Sequence, residues 1–116
     1  MLNYVLDEHI PIAYRNAILR IVDGIEVLRV GEVGAPELGT SDPKILIWRE
    51  ENGFALVINN RKSMPEHLEQ HVASGRHIAG IFVADLEGGV GANADALAIY
   101  SAASHPAEFQ DQIVYI

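Results

Sequence analysis

No cysteine occurs among the 116 residues, which excludes disulfides, thiolate metal ligands and a cysteine nucleophile. Cationic side chains are scarce: 8 Lys and Arg stand against 16 Asp and Glu, a formal net charge of −8. A polyanion is repelled by such a chain as a whole, so a nucleic-acid partner needs the few cations gathered at one place, or a basic partner protein. The longest apolar runs fall far short of the roughly 20 residues that cross a bilayer. No basic segment precedes an apolar core near the start, so no secretion signal is expected and a cytoplasmic location fits. What remains is an ordinary globular composition, 49% hydrophobic and 21% charged, at a length that suits one domain over residues 1–116 with one core.

Hydrophobic spacing sets the expected elements. Met1 to Leu6 reads as a strand ending at Asp7. Ile10, Ala13, Tyr14, Ala17, Ile18 and Ile21 recur at helical intervals, with Pro11 in the first turn and Asp23-Gly24 as the break. Ile25, Val27, Leu28 and Val30 make a second strand, followed by a Gly-rich loop from Gly31 to Gly39. Asp42-Pro43 opens a helix that Asn52-Gly53 closes, with Asp42 as a candidate cap. Phe54 to Ile58 is an uninterrupted apolar run, as in a strand covered on both faces. Ser63-Met64-Pro65-Glu66 has capping-box form and opens a helix through about Ser74. Ile78 to Val83 is a fourth strand, Gly88-Gly89-Val90-Gly91 a loop, Asn93 to Ala103 a helix stopped by His105-Pro106, and Gln112 to Ile116 a last strand. Strand and helix alternate throughout, which predicts an α/β fold with a mainly parallel central sheet of about five strands.

In such a sheet ligands bind outside the carboxyl ends of the strands. The residues there are Asp7, Glu8 and His9 after the first strand, Asn59 to Lys62 after the third, Asp85 and Glu87 after the fourth, and Asp42 at the helix following the second. Converging carboxylates can hold Mg2+ or Mn2+, hard cations that take oxygen ligands. Each acid also has a plainer use: Asp7 suits a turn, and Asp42 before Pro43 suits a cap. His67 and His71, four apart, can share a zinc ion or simply face water. Ser41 has no evident base partner, and Trp48 reads as core or as an oligomer contact.

Leu6-Asp7-Glu8-His9, Ser41-Asp42-Pro43-Lys44-Ile45-Leu46-Ile47-Trp48 and Ala79-Gly80-Ile81, in this order and spacing, resemble a compact branch of the PIN-like domains, relatives of the toxin nucleases of toxin–antitoxin modules. The resemblance implies a PIN-like three-layer sandwich and, for active members, metal-dependent RNase chemistry. Carried over residue by residue, Asp7 matches the first family acid and Asp42 the second. Asn60 stands where the third belongs, and Lys62 lies near the position of a following Asp. An amide is a weaker ligand than a carboxylate and a lysine opposes a cation, so both departures weaken the site.

Two functions follow as expectations. In the first, the chain is a weak or degenerate toxin-like ribonuclease: Asp7, Asp42 and Asn60 act on RNA, with Asp7, Asp42 and Asp85 around Mg2+ or Mn2+ and an antitoxin-like protein as partner. In the second it is a non-catalytic binding or regulatory module that acts as a homo-oligomer.

Overall fold

A computed structural model describes residues 1–59, 64–103 and 107–116. Its element order is β1 (Tyr4–Leu6), α1 (Ile12–Ile21), β2 (Val27–Arg29), α2 (Asp42–Asn52), β3 (Ala55–Asn59), α3 (Met64–Ala73), β4 (Ile81–Ala84), a 3₁₀ turn (Leu86–Gly88), α4 (Val90–Ala103) and β5 (Ile113–Tyr115). The five strands form one sheet in the order β2-β1-β3-β4-β5, and every pairing is parallel. The expected α/β class and parallel sheet are thus present.

Residue alternation builds the three layers. Tyr4 and Leu6 of β1, Ala55 and Val57 of β3 and Phe82 and Ala84 of β4 point to one side. There they meet Tyr14 and Ile18 of α1 and Ala94, Leu97 and Ala98 of α4. Val5, Leu56, Ile58, Ile81 and Val83 point to the other side, against Ile45 and Leu46 of α2 and Met64 and Leu68 of α3. Because β1, β3 and β4 are covered on both faces, they read as unbroken apolar runs rather than alternating ones.

The element ends follow local chemistry. Gly53 closes α2 in the left-handed region at φ 74° and donates its N–H to the Arg49 carbonyl. Ser41, not Asp42, occupies the N-cap of α2; Asp42 is the first helical residue and Pro43 the second. Pro11 likewise sits at the N-cap of α1, one residue outside the helix. The fourth strand begins at Ile81 instead of Ile78. Gly80 has φ +134°, and a Cβ there would stand 3.1 Å from the Phe109 carbonyl, so the chain turns against the segment leading to β5 before it pairs. The expected loop at Val90-Gly91 is instead the first turn of α4. The Asn93 side chain ties that turn down by donating to the Asp85 carbonyl at 2.7 Å and to the Tyr14 hydroxyl at 3.1 Å. Ser63 of the expected capping box and the His105-Pro106 stop lie outside the described residues. Among the described residues no helix is long and apolar enough to cross a membrane.

Candidate functional site

The strand order fixes where a ligand site belongs. From β1 the chain passes through α1 to β2 on one side, while from β3 it passes through α3 to β4 on the other. The connections diverge above β1 and β3, and the crevice outside their carboxyl ends is the switch point of the sheet. Asp7 follows β1 directly and Asn59 ends β3.

Asp7 is 1% exposed. Its backbone N–H donates to the Val57 carbonyl at 2.9 Å, and its carbonyl accepts the Ile10 N–H at 2.9 Å, closing a turn. Its carboxylate oxygen Oδ2 accepts the His9 N–H at 3.3 Å. Burying a carboxylate is costly without such donors. Leu6 pairs with Arg29 on one side and Val57 on the other. One residue on, Asp7 stands level with Val30 and Ile58, both in the core layer shared with α2 and α3. The acid therefore belongs to the side of the sheet on which α2 begins, and Asp42 is the first residue of α2.

Asp42 is mostly covered, its side chain 14% exposed, and its Oδ2 lies 3.8 Å from Nε2 of His67 on α3. Four residues along α3, buried His71 places Nε2 3.1 Å from Oε1 of Glu50 on α2. The two histidines thus each face an acid of the neighbouring helix. Helix α3 lies along α2 with one His–carboxylate contact at either end.

Asp85 stands apart from Asp7. Asn59 pairs with Ala84, so Asp85 lies two strands away and two residues higher, roughly 11–12 Å from Asp7 by strand spacing and rise. It is exposed, and its Oδ1 accepts the Glu87 N–H at 3.0 Å, capping the 3₁₀ turn. Asp85 and Glu87 also line a pocket of about 480 Å³ with Asn59, Tyr115 and Ile116 at the same edge. Asn60, Arg61 and Lys62 lie outside the described residues. Among the described residues no three His, Asp or Glu side chains gather as a metal-binding group. The residues at the carboxyl ends of β1 and β3, Asp7 and Asn59, offer oxygen donors, which suit a hard divalent cation and not a thiophilic one.

Two contributors were missed in the sequence. His67 reads as solvated or zinc-binding, yet it is the neighbour of Asp42. Arg29 reads only as one of the scarce cations, yet its Nε and Nη2 donate to the carbonyls of Ile10 and Glu8 at 2.8 and 2.7 Å, within the Asp7 turn. Its place at the carboxyl end of a strand neighbouring β1 was the available signal.

No known family model, curated protein or solved structure matches the chain.

Proposed function

We propose that this chain is a PIN-like protein with a weak, divalent-cation-dependent ribonuclease site at the carboxyl ends of β1 and β3. The supporting observation is the placement of Asp7: a carboxylate 1% exposed, held in a turn directly after β1 at the switch point of a parallel sheet. Aspartate is seldom fully buried unless its carboxylate is engaged. Asp7 and Asp42 are the residues that bind the cation, Asn60 orients a water or a phosphate, and Asp85 adds negative potential from the outer rim. When bound, Mg2+ or Mn2+ supplies charge compensation at a phosphoryl oxygen and a more acidic water. With two carboxylates instead of three, affinity is low and turnover slow. An RNA substrate, an antitoxin-like partner and a cytoplasmic location belong to this reading.

The test is a Mn2+ titration of the full chain followed by nuclear magnetic resonance. Broadening centred on Asp7 and Asp42, and RNA cleavage that disappears in Asp7→Asn, are the expected results. No broadening at millimolar Mn2+ removes the reading. The second reading, a non-catalytic module acting as a homo-oligomer, is favoured by a different observation. Ile21 and Ile99 are 49% and 66% exposed and line one apolar groove of about 550 Å³ between α1 and α4. Sedimentation at micromolar concentration tests it, and a monomer refutes it.

A further inference from the structure

The turn that carries Asp7 is held from below by one side chain. Arg29 lies at the end of β2, level with Leu6. Its guanidinium sends one N–H to the Glu8 carbonyl at 2.7 Å and another to the Ile10 carbonyl at 2.8 Å. These two carbonyls flank the residue whose N–H, that of His9, reaches the Asp7 carboxylate. The arginine is itself fixed: its backbone N–H donates to Glu32 Oε1 at 2.6 Å, and the other oxygen of Glu32 takes a hydrogen bond from Arg15 of α1.

A planar fork with donors in fixed directions can bridge two carbonyls at once, whereas an ammonium is a point charge with no such geometry. The main chain on either side of Asp7 is therefore held twice. On one side its N–H is paired to β3, and on the other Arg29 clamps the following residues. We propose that Arg29 is a positioning residue, which orients the Asp7 carboxylate through the Glu8 and Ile10 carbonyls. The proposal deepens the nuclease reading and rests on it for its functional meaning. Residues that orient a ligand in this way typically change metal affinity by roughly ten- to a hundredfold when altered.

Three variants of the full chain test it. Arg29→Met keeps the aliphatic stem and removes both donors. Arg29→Lys keeps the charge without the fork and guards against a Met variant that fails to fold. Ile18→Val, on the buried face of α1 and in none of the turn's hydrogen bonds, controls for a general loss of stability at matched melting temperature. Two quantities are read, amide hydrogen exchange at His9 and Ile10, and the Mn2+ concentration that half-broadens Asp7. In Arg29→Met, exchange at the two amides should quicken about tenfold or more while exchange in β3 stays unchanged. The half-broadening concentration should rise roughly ten- to a hundredfold, with Arg29→Lys intermediate and Ile18→Val moving neither quantity. Unchanged exchange overturns the proposal whatever the affinity does. Faster exchange with unchanged Mn2+ affinity also overturns it, because the clamp then serves stability alone. Should the wild type bind no Mn2+, the nuclease reading falls, and with it the functional meaning of the clamp, while the exchange data still decide whether Arg29 holds the turn.

Discussion

Replacing Arg49 by methionine should make the protein more stable. Arg49 is wholly buried at the end of α2. One donor, Nη2, reaches the Gly80 carbonyl at 2.6 Å, while Nε and Nη1 have no hydrogen-bond partner among the described residues. Burial drives its pKa well below the ordinary arginine value, to about 9, which corresponds to roughly 5 kcal/mol against the charged form. Against that stands the loss of the bond to Gly80, about 2–3 kcal/mol for a charged donor. Methionine follows the same stem and adapts to irregular space. The net expectation is about 2 kcal/mol of stabilisation, or a rise in Tm of roughly 5–10 °C for a chain of this size. The pH dependence carries the sign. Below about pH 9 both the folded and the unfolded arginine are charged, so the full penalty applies. Between there and the ordinary arginine value the unfolded chain binds more protons, so wild-type stability rises with pH. The gap between Arg49→Met and wild type should therefore be widest at pH 7 and narrow at pH 10 in urea unfolding. A methionine variant less stable than wild type at pH 7 would show that the guanidinium contributes more than it costs, and the reasoning fails.

Other predictions concern the core and the surface. Phe82 is fully buried and packs its ring against Tyr4, Tyr100 and Phe109 at centroid distances of 5.6, 5.3 and 5.5 Å; Phe82→Ala should cost about 3–5 kcal/mol by urea unfolding. Gly80→Ala should cost about 1–3 kcal/mol, since a side chain there is strained at φ +134° and crowds the Phe109 carbonyl; an undisturbed midpoint would refute the close approach. The exposed His77 ring is paired with Asp111 at 2.6 Å. That hydrogen bond, and then the carboxylate's charge, raise its pKa above 6.5. The stabilisation is accordingly full below pH 6.5 and lost as pH rises through the raised value. An Asp111→Asn variant should lose this step from the stability profile. At the acid end, partial burial pushes the Asp111 pKa up, but the bonds from His77 and the Ile78 N–H outweigh it and hold the value below 3.8, so its contribution disappears as pH falls through that lower value.

Much of the architecture was legible because its signals are local. The apolar run from Phe54 to Ile58, the Asn52-Gly53 stop and the helical spacing of Tyr14 and Ile18 each act within a few residues. Asp7 could be assigned to the rim of the sheet for the same reason, since strand ends in a parallel sheet share an edge. What was not legible depends on register between elements distant in sequence. The facing of His67 and His71 toward Asp42 and Glu50 is set by how α3 docks along α2. The bond of Arg49 to Gly80 crosses 31 residues, and that of Arg29 to Glu8 crosses 21. The start of α4 at Val90 was hidden because glycines advertise a loop, while the constraint that overrides them comes from Asn93 binding Asp85 and Tyr14.

The outermost strands, β2 and β5, have only 3 residues each. So brief a margin presents few unpaired amides and carbonyls for a foreign strand to copy. Edge-to-edge growth into fibrils is thereby disfavoured.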